Sequence, residues 1–446
     1  MVVFLITLFK NKEDFENYKN TVKKIKEKIE DYDGLIRVIT HHDSDGLNAG
    51  GIILKILYRL GKDFHLSVFE HLTTYEINKL IEEYKKNKNT LYIFADMGSG
   101  QIDALIKNKF NCIILDHHPP SVMDTEIDNI LQLNPHIFGM NGSREVSGSG
   151  VSYLVGREFG YYDLSMFAIS GAIGDMQHKP FIGINKFILN EGRLKNYILN
   201  VVKDIIYNCY DLPLWQSILY NTDPYIREFK SKGEVIEFLE KIGLNPNKPY
   251  LEGNEKHILA DALSEYVDKE KLWVDRYIIR HKIGDALYLS EIVNSSGRLG
   301  YGGIGLGAIL EDEECIRKGK CNYIAYKEKI INEIKSIKIK SLKNIEYFYG
   351  KKGITGLIAS LLVKDKPVIG FYKDGEYYKV SSRGNDKLVS RGLNLTEAMK
   401  LAEKYGGSGG GHNVASGAKI HQTTLDDFLR DVDELIGKQL NSKLKI

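Results

Sequence analysis

Between Leu35 and Leu115 short β-branched or aromatic runs alternate with amphipathic stretches. Leu35–Thr40, Phe64–Phe69, Thr90–Ala95 and Asn111–Leu115 have the length and residue types of strands. Asn48–Leu60, Thr74–Lys86 and Gln101–Lys107 carry apolar residues at helical spacing. This alternation predicts an α/β domain whose parallel sheet is covered on both faces, because each parallel crossover needs a helix that packs back on the sheet. Ahead of it, Asn11–Asp31 is rich in Lys and Glu, with Phe15, Tyr18, Val22, Ile25 and Ile29 at helical spacing and Gly34 where a C-terminal cap belongs. Met1–Phe9 is apolar, too short to span a membrane and without a basic flank, which predicts a first strand or a packed arm. Ser147–Phe159 and Leu164–Gly174 predict two further helices.

The polar residues that interrupt this pattern fall at the ends of the apolar runs. Leu35–Thr40 leads into His41-His42-Asp43-Ser44-Asp45-Gly46, Leu91–Ala95 into Asp96, Asn111–Leu115 into Asp116-His117-His118-Pro119-Pro120, and Ile169–Gly174 into Asp175. In α/β sheets ligands bind beyond the carboxyl ends of the strands, so such side chains converge. Asp43 and Asp45, one residue apart, repel each other there unless a cation lies between them. Acids and a histidine from four strand or helix ends make a two-metal site with mixed oxygen and nitrogen ligands. Pro119-Pro120 stops the chain after the histidines and keeps both imidazoles in a loop.

Composition bounds the class. A chain of 446 residues predicts two or three domains. With 43% hydrophobic and 27% charged residues it reads as an ordinary soluble protein, with no membrane partner. The net charge of +2 neither requires nor excludes nucleic acid. Cys112, Cys209, Cys315 and Cys321 are scattered in no zinc-binding spacing, as expected of reduced thiols in a cytoplasmic protein.

Beyond Asp175 the pattern changes. Residues 183–285 predict a mostly helical insertion within the first domain, broken at Asp211-Leu-Pro and Asn245-Pro, with 286–316 completing that domain. Asn294–Gly307 is glycine-rich, but no strand precedes it in the way a dinucleotide loop requires. Residues 317–352 hold eleven Lys or Arg and no proline, which predicts a basic connector helix able to follow a phosphodiester backbone. Residues 353–446 predict a smaller α/β domain with strands at Pro367–Tyr372 and Tyr377–Ser382. It contains Ser382-Arg383-Gly384, a helix at Leu395–Tyr405, and the glycine loop Gly406–Gly411 followed by His412. Glycines there let backbone amides approach an anion.

Asp43-x-Asp45-Gly46, then Asp96, then Asp116-His117-His118-Pro119, then Gly174-Asp175 resemble in order and spacing the four signature motifs of the DHH phosphoesterase superfamily. The segment around Arg298 resembles the motif that closes the catalytic domain of RecJ-type nucleases, and Arg383 with Gly409-Gly410-Gly411-His412 resembles the DHHA1 domain. The likeness covers nearly the whole chain except the insertion and the first thirty residues, and it is closest to RecJ-like single-strand exonucleases of the archaeal type. Many superfamily members have a histidine four residues before the first motif acid, where this chain has Ile39; His41 is read as supplying that nitrogen. The chain shows no counterpart of the extra nucleic-acid-binding domain of bacterial RecJ, so a tight grip on long DNA is not expected.

The resemblance implies two Mn²⁺ or Mg²⁺ ions bridged by Asp96, with Asp43 and His41 on one and Asp45, His117 and Asp175 on the other. It implies His118 as the acid or a substrate contact, Asp116 as the group orienting a neighbouring histidine, and Arg298, Ser382, Arg383, Gly409, Gly410, Gly411 and His412 as phosphate-binding residues from the opposite lobe. The expected activity is release of nucleotides from the ends of single-stranded DNA or RNA, in replication or repair. The GINS replication complex is the implied protein partner, and the insertion is the place for it. Two other readings use the same residues: a phosphodiesterase of nanoRNA or cyclic dinucleotides, and a replication-complex subunit that acts mainly by binding.

Overall fold

The structure, a computed structural model, describes residues 5–207 and 212–442. Cys209, Tyr210, Asp211 and the first four residues of the apolar start lie outside the described residues.

Helix α1 (Lys12–Glu30) starts at Asn11, whose side chain accepts the Asp14 amide, and it buries Phe15, Tyr18, Val22, Ile25 and Ile29. It ends on Asp31 in the right-handed region, so Gly34 is not its cap. A Cβ at Gly34 would press on the Asn89 carbonyl and the Tyr32 ring, each about 3 Å away, which is the reason for glycine there. The alternation then follows: β1 (Leu35–His41), α2 (Ser44–Arg59), β2 (Phe64–Phe69), α3 (Thr74–Lys86), β3 (Thr90–Ala95), α4 (Ile102–Lys107) and β4 (Cys112–Leu115). Two short strands that the pattern did not predict, β5 (Glu126–Ile127) and β6 (Ile130–Leu133), extend the sheet to the order β2-β1-β3-β4-β6-β5. All its pairings are parallel except that of β5 with β6.

Register decides where chemistry can occur. Thr40 pairs with Ala95, Ala95 with Leu115, and Leu115 with Leu133. The residues that follow, His41, Asp96, Asp116 and Asn134, therefore stand side by side along the carboxyl edge. Ile36, Val38 and Ile93 face the core formed with α2, α5 (Gly148–Glu158) and α6 (Ser165–Gly174), while Ile39, Tyr92 and Phe94 face the core under α3 and α4. Helix α2 begins four residues before its apolar periodicity because Asp43 caps it, accepting the Gly46 amide at 3.1 Å.

The chain next forms α7 (Gly183–Leu194) and β7 (Ile198–Ile205), then α8 (Leu214–Leu219), α9 (Lys232–Lys241) and α10 (Glu255–Leu263), and returns in β8 (Trp273–Ile279), which pairs with β7. Two compact units result: the chain up to Asp204 with Val274–Tyr326, and Ile205–Trp273 with the chain from Lys327 onward. The expected insertion is thus divided. Helix α7 buries Ile184, Phe187 and Ile188 in the first core, whereas 205–273 packs within the second unit. There the Tyr220 hydroxyl donates to Glu328 at 2.7 Å and Lys364 reaches Glu228 at 3.1 Å.

The glycine-rich stretch is helical rather than a loop, in α11 (Ala286–Arg298) and α12 (Gly302–Ile309). A Cβ at Gly297 would lie 1.7 Å from the His42 carbonyl, so glycine lets α11 approach the motif directly. The basic helix is also shorter than its charge pattern suggests: α13 (Glu313–Ser336) stops at Ser336. β9 (Lys340–Ser341) and β10 (Glu346–Tyr349) follow, since the aromatic and β-branched run from Ile345 to Tyr349 favours a pleated surface. Lys327 is buried and donates to Thr222, and Lys351 pairs with Glu333 at 2.7 Å, so these two lysines of the run hold the fold together.

In the second unit α14 (Thr355–Leu362), β11 (Val368–Asp374), β12 (Tyr377–Arg383), α15 (Asp386–Ser390), α16 (Leu395–Lys400), β13 (Ser408–Gly411), β14 (Ala415–His421) and α17 (Leu425–Ser442) complete the chain. The sheet order is β13-β14-β12-β11-β10-β9. Ile369, Phe371, Val380 and Ile420 pack under α16 and α17. The Gly409-Gly410-Gly411 run, expected as a loop, is the edge strand β13, and only residues 412–414 turn. Among the described residues no helix is long and apolar enough to cross a membrane.

Candidate metal centre

Three groups of potential ligand atoms lie at the carboxyl edge of the first sheet: His41, Asp43 and Asp96; Asp45, His117 and Asp175; and Asp96, His117 and His118. Asp96 and His117 each belong to two of them, so the clusters are contiguous. Asp96 follows β3 directly in the left-handed region (φ 61°), which aspartate tolerates better than most residues.

The two imidazoles are held alike. His41 Nε2 lies 3.1 Å from the Glu70 carbonyl, and His117 Nδ1 lies 2.8 Å from the Gly142 carbonyl. Each ring therefore donates one N–H to backbone and turns its other nitrogen toward the acids, the orientation that metal-binding histidines adopt. His41 Nδ1 lies 3.0 Å from Asp43 and 3.6 Å from Asp96. His117 Nε2 lies 3.2 Å from Asp96, 3.3 Å from Asp175 and 3.8 Å from Asp45. His41 Nδ1 and Asp96 Oδ1 are buried with no well-aligned hydrogen bond. Buried polar atoms left in this state call for a cation, and the mixed carboxylate and imidazole set suits Mn²⁺ or Mg²⁺.

Electrostatics agree. Burial, reinforced by the Asp96 charge, pushes Asp45 up to about 6, and burial with the Asp45 charge raises Asp175 well above the usual carboxylate range. Burial opposes a charged His41, but hydrogen bonding to Asp43 and Asp96 prevails and raises it to about 10; His117 is raised well above its ordinary value by the same balance. Burial would also raise Asp43, yet His41, the Gly46 amide and Arg298 hold it low. Acids and imidazoles that both hold protons tightly mark a cluster short of positive charge. A cation must displace those protons, so Mn²⁺ affinity is expected to rise with pH through about 6, where Asp45 titrates. Calorimetry across that range checks this, and a pH-independent affinity would contradict it.

Side chains alone do not build the centre. The Gly148 and Ser149 amides, at the start of α5, donate to the Asp45 carboxylate together with the Ser149 hydroxyl. A Cβ at Gly148 would lie 2.3 Å from Asp96 Oδ1, and one at Gly171 would lie 2.5 Å from Asp45 Oδ1. Asp116, fully buried, accepts four donors: the amides of Ser99 (3.0 Å), His117 (2.8 Å) and His118 (3.1 Å), and His118 Nδ1 (2.8 Å). Burial would raise it, but the bond from His118 holds it near about 2. It fixes the 116–118 loop and belongs to none of the three ligand groups. In return it raises His118 to about 9, and 55% of that side chain is exposed. Asn134 completes the loop, donating to Ser99 Oγ and the His118 carbonyl. Ser147-Gly148-Ser149, Gly171 and Asn134 were not singled out from the sequence, although Ser-Gly-Ser-Gly opening a helix is a signal that could have been read.

Arg298, the last residue of α11, lies in the first unit, not in an opposite lobe as expected, with Nη2 3.7 Å from Asp43. In the second unit Arg383 has no carboxylate partner among the described residues. Its Nη1 donates to the Ser382 carbonyl at 2.9 Å, and burial alone lowers its pKa. A Cβ on Gly356, in the first turn of α14, would lie 2.8 Å from Nη2, so guanidinium and helix N-terminus bring positive charge to one place. Arg383 pairs in register with Ala415, and Gly411 with Ser416, so Arg383, Gly411 and exposed His412 share one end of the sheet. Gly409 serves packing, since a Cβ there would lie 2.0 Å from the Met399 carbonyl, whereas Gly410 faces open space. Ser382 departs from expectation. It is fully buried and donates to the Ser416 carbonyl at 3.0 Å, which commits its hydroxyl to the sheet rather than to a ligand.

The DHHA1 domain family matches residues 344–438. An uncharacterised protein of Methanocaldococcus jannaschii is 53% identical over 430 residues, 96% of this chain and 99% of that one. Among solved structures, CDC45 from Entamoeba histolytica aligns over 95% of this chain and 99% of its own, with a TM-score of 0.60 and 11% identity. RecJ from Thermus thermophilus, in complex with Mn²⁺, aligns over 95% of this chain with a TM-score of 0.57 and 17% identity, and this chain spans 55% of that protein. At such identities the likeness is one of fold. The chain therefore carries a DHHA1 domain over residues 344–438 and has a RecJ-like fold.

Proposed function

We propose that this protein is a metal-dependent phosphodiesterase that releases nucleotides from the ends of single-stranded DNA or RNA. The observation that carries the reading is the pair of imidazoles, each tied to a backbone carbonyl and each turning its other nitrogen into a shared cluster of buried carboxylates. His41, Asp43 and Asp96 would hold one divalent ion, and Asp45, His117 and Asp175 a second, with Asp96 common to both. Ions of this kind supply Lewis acidity toward the phosphodiester and make water a stronger acid. Arg298, whose fork fits two phosphate oxygens, would bind the phosphate beside Asp43. His118, charged and oriented by Asp116, would give its proton to the departing oxygen. In the second unit Arg383, Gly411 and His412 would bind phosphate as well.

The test uses end-labelled single-stranded DNA and RNA, a circular single strand and a dinucleotide, each with Mn²⁺ or with a chelator. Linear strands should shorten from one end only with the metal, and the circle should remain intact. Cleavage of the circle, or no hydrolysis of any substrate with Mn²⁺, would contradict the reading.

Two variants separate the parts. Arg298→Ala removes charge-assisted hydrogen bonds worth about 1.5–3 kcal/mol, so kcat/KM should fall about 10- to 100-fold with Mn²⁺ content unchanged. Arg383→Ala should raise KM more than it lowers kcat, again with Mn²⁺ retained. Loss of the metal from either variant would show that the arginine supports the centre instead of the phosphate.

A further inference from the structure

Helix α6 ends in a reversal that holds one imidazole from both sides. Past Gly174 the Met176 amide donates to the Ile173 carbonyl at 3.0 Å and the Gln177 amide to the Ala172 carbonyl at 2.9 Å. Met176 is in the left-handed region (φ 58°), where glycine is the usual residue at a helix end, so the chain accepts strain to keep this turn. The turn sends Asp175 and Gln177 to opposite ends of His117. Asp175 Oδ2 lies 3.3 Å from His117 Nε2. Gln177 Nε2 donates at 3.0 Å to the Gly142 carbonyl, the same oxygen that lies 2.8 Å from His117 Nδ1.

Gln177 is 1% exposed, and Asn185, in α7, is fully buried. Asn185 Nδ2 donates to Gln177 Oε1 at 2.7 Å, and the Ser147 amide donates to Asn185 Oδ1 at 3.4 Å. Only one orientation of the two side-chain amides satisfies this chain. The Gly142 carbonyl can only accept and the Ser147 N–H can only donate, so Gln177 turns its NH₂ to Gly142 and Asn185 its oxygen to Ser147. The chain ends at the start of α5, where Ser147 caps the helix whose Gly148 and Ser149 amides hold Asp45. Asp45, His117 and Asp175, which form one ligand group, are thus tied to a single run of buried amides. His41 is anchored differently. Its partner carbonyl belongs to exposed Glu70, and among the described residues no second side chain donates to it.

We propose that Gln177, held by Asn185, is the positioning residue for the ion at Asp45, His117 and Asp175. A carbonyl that accepts two donors is fixed in direction, so His117 keeps its proton on Nδ1 and turns Nε2 to the ion. Without the Gln177 amide the Gly142 carbonyl has one donor left, Asn185 loses its acceptor inside the core, and the imidazole is free to turn. The inference rests on the proposed two-ion centre and assigns the buried amides to one ion only.

The experiment compares the full chain with Gln177→Met, which keeps the length of the side chain and removes the amide, and with Asn185→Leu, which breaks the run from α7. Calorimetry with Mn²⁺ should show two ions in the parent. In both variants one affinity should fall about 10- to 100-fold, the cost of losing a partner behind a ligand, while the other stays within about twofold. Electron paramagnetic resonance at two equivalents of Mn²⁺ should show a spin-coupled pair in the parent and mainly single ions in Gln177→Met. At limiting Mn²⁺ the variant's kcat on a dinucleotide should fall more than its KM rises, and saturating Mn²⁺ should restore most of the rate. Unchanged affinity at both ions, or equal loss at both, would overturn the proposal. So would unfolding of both variants, which would assign the amides to the fold alone. A parent that binds one ion, with no coupled pair, would defeat the two-ion centre itself and this inference with it.

Discussion

Asp96→Asn is expected to lose nearly all Mn²⁺-dependent hydrolysis while the protein stays folded. The carboxylate shares one ligand group with His41 and Asp43 and lies 3.2 Å from His117 Nε2, which belongs to the other, so its loss should affect both proposed ions. Metal ions contribute several kcal/mol of charge stabilisation in the transition state, so the rate should fall on the order of a thousandfold or more. Asparagine is the informative replacement because residue 96 is in the left-handed region, which Asn accepts and Ala does not. Without metal, the variant relieves the repulsion that pushes Asp45 and Asp175 upward but gives up the Asp96 contacts that hold protons on His41 and His117, so a cooperative melt is the expected sign that it stays folded. The rise in melting temperature that Mn²⁺ gives the parent should shrink or vanish. Near-normal turnover, or an undiminished thermal response to Mn²⁺, would contradict this account.

Gly148→Ala should damage the same centre without touching a ligand. The added methyl carbon would lie 2.3 Å from Asp96 Oδ1, a clash between the start of a helix and a buried carboxylate that neither partner can easily avoid. Overpacking of this kind costs about 1–3 kcal/mol, and misplacing a ligand costs about 10- to 100-fold in metal affinity. The variant should therefore melt lower than the parent, bind Mn²⁺ at least about tenfold more weakly and hydrolyse correspondingly slowly. Ser149→Ala is the control. It removes one hydroxyl bond to Asp45 but keeps the amide, so its effect should be several times smaller. Equal effects from the two substitutions would mean that the hydroxyl, not the close approach at Gly148, is the critical contact.

Why some of this was legible in the sequence and some was not has physical reasons. The acids and histidines could be read because a parallel sheet puts strand ends on one edge, and each apolar run marks where its strand stops. Glu70 and Gly142 could not be read, because they act through backbone carbonyls and any residue type supplies one. β5 and β6 were missed because two- and four-residue strands are too short to show a period. The glycines of 297–307 were rightly not read as a dinucleotide loop, but that they permit helices to pack closely could not be told from composition. The basic run misled in the other direction. Lysine favours helix, but the aromatic and β-branched residues from Ile345 onward pair with β11 and override it. Division of the insertion between two units depends on contacts such as Tyr220 with Glu328, more than a hundred residues apart, which no local pattern encodes.

The central claim is that Asp96 joins two ions at the edge of the first sheet. Anomalous diffraction from crystals soaked in Mn²⁺ tests it most directly. The account predicts two peaks per chain, both in contact with the Asp96 carboxylate, one also against His41 and Asp43 and the other against Asp45, His117 and Asp175. A single peak, or peaks that leave Asp96 and His117 without an ion, would contradict it.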